Sequence, residues 1–572
     1  MEKLPSFPGS KVFTVGKINI AQGDLVEEGQ ELFQIETKKG NRSIKAKSNG
    51  RISQLLVTEG ESVTVGQDIY ELAASDTQTD SSEILSKKEI STSKEISTSK
   101  EISTSKEIIN KSVNLLIIGG GTGGYVAAIR AAKAGKNVLL VEKNKMGGTC
   151  LNVGCIPTKA LIASSELYEQ AIHSNDFGIM IDGQIKPDMP AIIDRKNQIV
   201  EKLTTGVEFL MEKNQIEVII GQASFINNTS VKIDSEQETI VTFEDCIIAT
   251  GSVVAIPNIP GIDSKHILTS TEALDNRELP RSMVIVGGGV IGLEFAFLYA
   301  QLGVSVTVIE FMDALLANMD AEISKTILDI AREKGIKVYL ESKVSAFSEA
   351  VDGQVITHFQ EKGKEQFAIS EKVLVAVGRK PNMEELALEK TDVTLNEKTR
   401  GILVDNHMKT VVDHIYAVGD VNNMIQLAHA ASKQGMIAVE NILGMASEFT
   451  ITNTPSVVFT SPEIASVGLS EEATKAVGID YKVGYAHFEA NGKSLTLNQT
   501  QGFVKIIKDQ TDTVIGASVI GPDASTLIAT LTTYVTNKMK LDEIEQIIFA
   551  HPTTAEVIHE ASLDLGLGAF HE

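Results

Sequence analysis

Short apolar runs broken by glycine turns, more than long amphipathic stretches, set the rhythm of this chain. Leu115-Leu116-Ile117-Ile118 is a continuous apolar run of strand length, and Val138 to Val141 is another. Such runs read as strands buried on both faces of a parallel sheet. Between them, the alanine-rich stretch from Tyr125 to Lys133 reads as a helix. The same order returns with Met283-Val284-Ile285-Val286, a helical stretch, and Val306 to Ile309. Near the start the period shortens to two, in Glu31-Leu32-Phe33-Gln34-Ile35 and again in Asp68-Ile69-Tyr70-Glu71-Leu72. Each follows a similar glycine-bounded segment, Gly23 to Gln30 and Gly60 to Gln67, so residues 1–74 contain an internal repeat. Matched turns and alternating strands predict two similar halves of an all-β sandwich. Glu36-Thr37-Lys38-Lys39-Gly40 lies between the halves, which places Lys39 on an exposed hairpin tip.

Residues 75–111 break the pattern. Glu-Ile-Ser-Thr-Ser-Lys occurs three times in tandem, from Glu89, Glu95 and Glu101. The stretch has no aromatic residue and too little apolar surface to offset its ordering entropy, so it reads as a linker. As a flexible coil its ends would average roughly 35 Å apart. The chain is therefore expected to tether a small module to a large body.

Both strand–helix–strand units carry glycines where the first strand ends. In the first they are Gly119, Gly121 and Gly124, with Glu142 closing the second strand; in the other they are Gly287, Gly289 and Gly292, with Glu310. This order is the Rossmann fingerprint. The first glycine permits the tight turn, the second admits the pyrophosphate, and the third lets helix and strand pack closely. The helix N-terminus stabilises the phosphate charge, and the terminal acid accepts from ribose hydroxyls. Two fingerprints imply two dinucleotides. Glu310 would repel a 2′-phosphate and Phe311 offers it no cation, so the second site is read as binding NAD, not NADP.

Only three cysteines occur in 572 residues, which excludes a disulfide framework. Two of them, Cys150 and Cys155, share one short segment after the first fingerprint, a placement that points to redox chemistry; Cys246 reads as a buried filler residue. A dithiol–disulfide couple moves two electrons, and flavin is the cofactor able to join it to a hydride carrier. FAD is therefore assigned to the first site. A net charge of −23 argues against nucleic acid or an anionic membrane as the main partner. No apolar run approaches the roughly 18 residues of a transmembrane helix. The first residues form neither an apolar signal region nor an Arg-rich presequence, so a cytoplasmic protein is expected.

With these motifs assembled, residues 1–74 resemble a lipoyl domain, in which the lysine after Glu36-Thr37-Lys38 carries the covalent lipoyl group. That resemblance marks Lys39, although Lys38 replaces the usual acidic residue and Gly40 a common alanine. A biotinyl domain is the competitor, but it flanks its lysine with methionines and none stands here. From about residue 112 onward the chain resembles the flavoprotein disulfide reductases, and dihydrolipoamide dehydrogenases most of all. Gly147-Gly148-Thr149-Cys150 through Lys159 is similar to the redox segment of that family. Ala249-Thr250-Gly251 and Tyr416-Ala417-Val418-Gly419-Asp420 resemble its further flavin-region motifs. The resemblance assigns Thr250, Gly251, Asp420 and position 429, a histidine, to the FAD site. Gly378-Arg379-Lys380-Pro381-Asn382 marks the return from the NAD domain, with Gly378 assigned to the NAD site. Lys159 and Glu294 look like the ion pair that the family places near the flavin ring. His551, in His551-Pro552-Thr553-Thr554-Ala555-Glu556, is implied as the base, oriented by Glu556 and acting across a homodimer interface.

The resemblance thus implies a multidomain chain. The lipoyl-type sandwich at 1–74 and the linker at 75–111 precede two Rossmann-like α/β domains, for FAD at 112–258 and NAD at 259–384. A central FAD-contacting segment follows at 385–454, then an α+β dimerisation domain at 455–572. The implied reaction oxidises protein-bound dihydrolipoamide through a Cys150–Cys155 disulfide and FAD, reducing NAD⁺. Its implied setting is a 2-oxo acid dehydrogenase complex or the glycine cleavage system. The partners would be lipoyl domains of E2-type acyltransferases or H-protein-like carriers, with a lipoate ligase acting on Lys39. The alternatives are another pyridine nucleotide-disulfide reductase, which the acid at Glu310 opposes where NADPH is the reductant, and a non-catalytic lipoyl-bearing scaffold, which the complete redox set opposes.

Overall fold

The computed structural model describes residues 2–3, 12–18, 20, 24–26, 29–37, 40–46, 48, 50–65, 67–73 and 108–571. They fall into two compact units, 1–102 and 103–572. Lys39 and nearly all of the repeat-bearing linker lie outside the described residues.

The first unit is built from two four-stranded antiparallel sheets. One orders Glu2–Lys3, Asp68–Ala73, Gly50–Leu55 and Leu25–Val26; the other orders Gly40–Lys45, Glu31–Thr37, Val12–Ile18 and Ser62–Thr64. The two repeated strands, Glu31–Thr37 and Asp68–Ala73, thus sit in different sheets, as the internal repeat predicts. Leu32 and Ile69 of these strands, with Ile52 and Val63 of their neighbours, are each at most 1% exposed, and the adjacent Phe33 and Tyr70 are buried as fully, so the period of two is not kept there. Thr37 pairs with Gly40 at the end of the ladder that flanks Lys38 and Lys39.

In the second unit, Ile109–Ile118 forms the middle of a sheet whose parallel neighbours are Val138–Glu142 and Thr239–Ile248. Leu115, Leu116 and Ile117 are fully buried, which explains their continuous apolar character. This strand begins inside the stretch read as linker, because its ladder with Thr239–Ile248 extends back to the pair Ile109–Thr239. Ile415–Ala417 joins the other edge of Thr239–Ile248, so the central segment completes the first sheet. Helix Thr122–Lys133 packs on helix Ala428–Ile442 at very close range: a Cβ on Gly435 would lie 2.5 Å from the Gly123 carbonyl oxygen.

The second nucleotide sheet is parallel, in the order Ile267–Thr269, Lys372–Val375, Ser282–Val286, Ser305–Ile309, Lys337–Tyr339. A two-stranded ribbon, Ser252–Val254 against Arg379–Pro381, carries the chain out to this lobe and back. The last lobe is a five-stranded antiparallel sheet, Ser456–Val458 through Tyr481–His487, with helices Ala524–Thr536 and Glu556–Asp564 packed against it. Lys505 of this sheet is 1% exposed and bonds Asp320 (3.0 Å), Glu322 (3.3 Å) and Glu471 (2.8 Å). Asp320 caps helix Ala321–Glu333 of the second nucleotide lobe, so the cluster ties two lobes through one buried cation.

Candidate active site

The two glycine fingerprints fold into nearly the same shape. Gly119 takes φ +109° and Gly287 φ +113°, and a Cβ would meet the carbonyl oxygen of Ala249 at 2.3 Å or of Ala376 at 2.5 Å. Gly124 and Gly292 press equally hard: an added Cβ would stand 1.8 Å from the Gly119 carbonyl oxygen and 2.0 Å from that of Gly287. Gly121 and Gly289 instead leave space. A Cβ at Gly121 meets only Gly148, at 3.7 Å, and one at Gly289 meets nothing within 4 Å. Those spaces lie at the N-termini of helices Thr122–Lys133 and Val290–Gln301, where free N–H groups favour a phosphate. Glu142 accepts the Gly120 and Asn144 N–H groups, at 2.6 and 2.8 Å, and Glu310 accepts those of Gly288 and Met312. Each carboxylate is thereby fixed beside its cradle. Both sites fit a dinucleotide.

The redox segment lies against the first cradle because glycine lets it. Gly148 has φ +57°, and a Cβ there would stand 2.6 Å from Gly121 Cα. Cys150 rides on the short helix Gly148–Asn152, whose Asn152 amide ties back to the Met146 and Gly148 carbonyls at 3.0 and 2.9 Å. After Val153 and Gly154 the chain restarts as helix Cys155–Ile172, with Cys155 as its first residue. Both cysteines are free thiols and half-buried.

Their environments push them apart. A hydrogen bond from Cys150 lowers the Cys155 thiol to about 7; burial opposes the shift, and Lys159 reinforces it. The start of a helix also favours a thiolate. The same hydrogen bond, followed by burial, pushes the Cys150 thiol up. The coupling thus favours the thiolate at Cys155 and the proton at Cys150. Lys159 Nζ lies 2.8 and 2.9 Å from the two carboxylate oxygens of Glu294, and its side chain is far more exposed than that of Glu294. Glu294 belongs to the helix of the second fingerprint, so this pair joins the two nucleotide lobes beside the thiols.

The flavin-region motifs also converge. Thr250 donates to the Asn382 carbonyl at 2.6 Å, while Gly251, at φ +70°, has open space where a side chain would stand. Asp420 accepts the Ser252 hydroxyl at 2.6 Å. Arg379 donates to Ser252 Oγ at 2.8 Å and Thr149 Oγ1 at 3.2 Å, so it connects the returning ribbon to the residue before Cys150. The sequence marked Arg379 only as part of a boundary motif; its partners lie far away in the chain. His429 is exposed and its ring bonds the Pro455 carbonyl at 2.7 Å. Gly378 has φ +114° and stands exposed at the head of the ribbon.

His551 Nδ1 lies 3.0 Å from Glu556 Oε1, and the other Glu556 oxygen accepts the Thr553 N–H at 2.9 Å. Burial pushes the Glu556 carboxyl up, but the Thr553 and His551 bonds outweigh it and hold it below the usual carboxylate range. The His551 side chain is 78% exposed, and no hydrogen bond or ion pair found among the described residues links it to the cysteines of its own chain. Cys246 is fully buried, and burial pushes its thiol up. Among the described residues there is no cluster able to hold a metal ion and no helix long and apolar enough to cross a membrane.

Residues 113–435 match the pyridine nucleotide-disulphide oxidoreductase family and 454–562 its dimerisation domain. The chain belongs to the pyridine nucleotide-disulphide oxidoreductase family, as an FAD-containing enzyme that works with NAD. A dihydrolipoyl dehydrogenase of Bacillus subtilis (strain 168) is 41% identical over 456 residues, which span 79% of this chain and 98% of that protein. One from Chlamydia muridarum is 42% identical over 459 residues, 80% of this chain and 97% of the other. Among solved structures, the Cu(II) complex of the HOCl-induced flavoprotein disulfide reductase RclA from Escherichia coli has a TM-score of 0.71 at 30% identity, and the match covers 79% of this chain and 99% of that one. Residues 5–72 match a family described as biotin-requiring enzyme, whose biotin- and lipoyl-bearing modules share a fold; here the module is of the lipoyl type.

Proposed function

We propose that this protein oxidises dihydrolipoyl groups on carrier proteins to the lipoyl disulfide and passes the two electrons to NAD⁺. The observation that carries the reading is the placement of two thiols beside the first cradle: Cys150 on the short helix Gly148–Asn152 packed on Gly121, and Cys155 opening helix Cys155–Ile172, which also bears Lys159 of the Lys159–Glu294 pair.

In the oxidised state Cys150 and Cys155 share a disulfide. A thiolate of the substrate attacks Cys150 Sγ; a mixed disulfide forms and Cys155 leaves as the thiolate its surroundings favour. The second substrate sulfur then attacks the first, closes the lipoyl ring and releases Cys150, which takes up a proton. His551 accepts the proton that each incoming thiol must lose, and Glu556 orients its ring. The exposure of His551 favours its working on the thiols of a second copy in the dimer. Gly121, Glu142, Thr250, Gly251, Asp420 and residue 429 would hold FAD; Gly287, Gly289, Gly292, Glu310 and Gly378 would hold NAD. FAD supplies the two-electron relay between a dithiol and a nicotinamide. Lys159 and Glu294 place a paired charge where that relay meets Cys155.

This reading places the protein in the cytoplasm, with E2-type acyltransferases or H-protein-like carriers as partners. A lipoate ligase would modify Lys39. Anaerobic mixing of the holoenzyme with dihydrolipoamide, then with NAD⁺, tests it. Long-wavelength absorbance of a thiolate beside oxidised flavin should rise and then discharge as NADH appears. Flavin that is bound yet unresponsive to dihydrolipoamide would overturn the substrate assignment.

A further inference from the structure

The Lys159–Glu294 pair has a third member. Lys159 Nζ lies 4.4 Å from the centroid of the Phe459 ring, within the range of a cation–π contact. The Phe459 backbone N–H also donates to Glu294 Oε1 at 3.2 Å. Phe459 follows strand Ser456–Val458 of the last lobe, is half-buried, and packs on the apolar core around helix Val290–Gln301. One residue of the interface lobe therefore holds both members of an ion pair, the cation through its ring and the anion through its backbone. Glu294 is 6% exposed, so its carboxylate is fixed; Lys159 is 29% exposed and has four rotatable bonds. The ring takes up one side of the ammonium that would otherwise be free to move.

We propose that Phe459 is a positioning residue, whose ring fixes Lys159 and through it the charge felt by the Cys155 sulfur. The inference rests on the reading of Cys155 as the thiolate beside the flavin. The groups that act on Cys155 are Cys150, which donates to it, Lys159, which stabilises the thiolate, Glu294, which opposes it, and the half-buried Arg379. Of these, Lys159 is a partly exposed cation on a flexible stem, held by Glu294 on one side and by the Phe459 ring on another. A looser Lys159 lets water screen it, so the thiolate becomes less stable and its pKa rises.

The test uses holoenzyme carrying Cys150→Ser, in which Cys155 is the remaining thiol of the pair and serine can still donate to it. The thiolate–flavin absorbance is titrated with pH, and alkylation of Cys155 by iodoacetamide is followed by mass spectrometry over the same range. Adding Phe459→Leu should raise both midpoints by about half a pH unit, from the loss of one partly exposed cation–π contact. Phe459→Tyr, which keeps the ring, should restore them. Phe459→Met serves where the leucine variant loses flavin, and the alkylation profile needs no flavin. Unchanged midpoints in Leu or Met, or a Tyr variant that behaves like Leu, would overturn the role of the ring. A Cys150→Ser parent that shows no thiolate–flavin absorbance at any pH would instead overturn the reading of Cys155 beneath it.

Discussion

His551 and Glu556 are joined by a 3.0 Å contact between Nδ1 and Oε1, while the ring itself remains 78% exposed. A histidine oriented on one side and open on the other presents a free face to an incoming thiol. Glu556→Gln keeps the shape but removes the charge that aligns the ring. Its turnover of dihydrolipoamide should fall by about 10²-fold, within the range for general acid–base catalysis. Reduction of the bound flavin by NADH, which needs no proton transfer from a substrate thiol, should proceed as in the parent. Stopped-flow measurement of both half-reactions separates the two outcomes.

The asymmetry between the thiols gives a pH prediction with a defined sign. Cys155 is lowered to about 7 by the Cys150 hydrogen bond, against the burial that opposes it, and with help from Lys159. In the two-electron-reduced protein its thiolate absorbance should therefore be present at pH 8 and fade as the pH falls through about 7. Lys159→Met removes a stabilising cation, so the fade should begin at higher pH. Cys155→Ser should abolish the band, whereas Cys150→Ser should keep it.

We infer that Glu310 sets the choice between nicotinamide cofactors. Its carboxylate is pinned by the Gly288 and Met312 N–H groups, and the neighbouring Phe311 side chain is uncharged and exposed. A charged hydrogen bond to a ribose hydroxyl contributes about 1.5–3 kcal/mol, roughly ten- to hundredfold in affinity. Glu310→Ala should lower kcat/KM for NAD⁺ by at least about tenfold and raise that for NADP⁺, since the repulsion of a 2′-phosphate is gone. Steady-state kinetics with each cofactor check both directions.

The glycine cradles with their terminal acids, and the cysteine pair, could be read from the sequence because each depends on residue types at short, fixed spacing; His551 and Glu556 were marked only through the family resemblance. Strand, glycine turn, helix and terminal acid leave a local imprint, and so does a cysteine pair at a helix start. The doubled strands of the first unit were legible for the same reason. What the sequence could not disclose are contacts between lobes other than the Lys159–Glu294 pair, which the resemblance implied. Arg379 reaches Thr149, and Phe459 covers Lys159, across distances along the chain that no periodicity encodes. The start of strand Ile109–Ile118 was missed because its first residues, Ile109-Asn110-Lys111, are polar enough to pass for linker and pair only through the distant Thr239–Ile248.

Lys505 is the strongest example of a hidden contact, and it carries a stability prediction. Its side chain and that of Asp320 are each 1% exposed, and they stand in different lobes. Desolvating these charges is costly, and their mutual attraction offsets the cost only while the cluster is complete. Lys505→Met leaves Asp320 buried without its cation, which should destabilise the fold by about 3–5 kcal/mol. Thermal unfolding should show a lower Tm, with the flavin spectrum at room temperature unchanged. A variant as stable as the parent would mean that the cluster contributes nothing net.

Lys39 lies outside the described residues, so its prediction rests on the hairpin strands around it and on the resemblance of the whole module. If Lys39 carries the lipoyl group, protein produced in lipoate-supplied cells should show the added mass on that residue, and Lys39→Arg should not. Free dihydrolipoamide should be oxidised equally by both, because the dithiol site belongs to the other unit. The difference should appear when NADH is supplied without free lipoamide. Tethering places the arm at an effective concentration of roughly millimolar, so its reduction should proceed at a rate independent of protein concentration. A rate that rises in proportion to protein concentration would mean that each arm is served by other molecules, and that the module works as a carrier in trans.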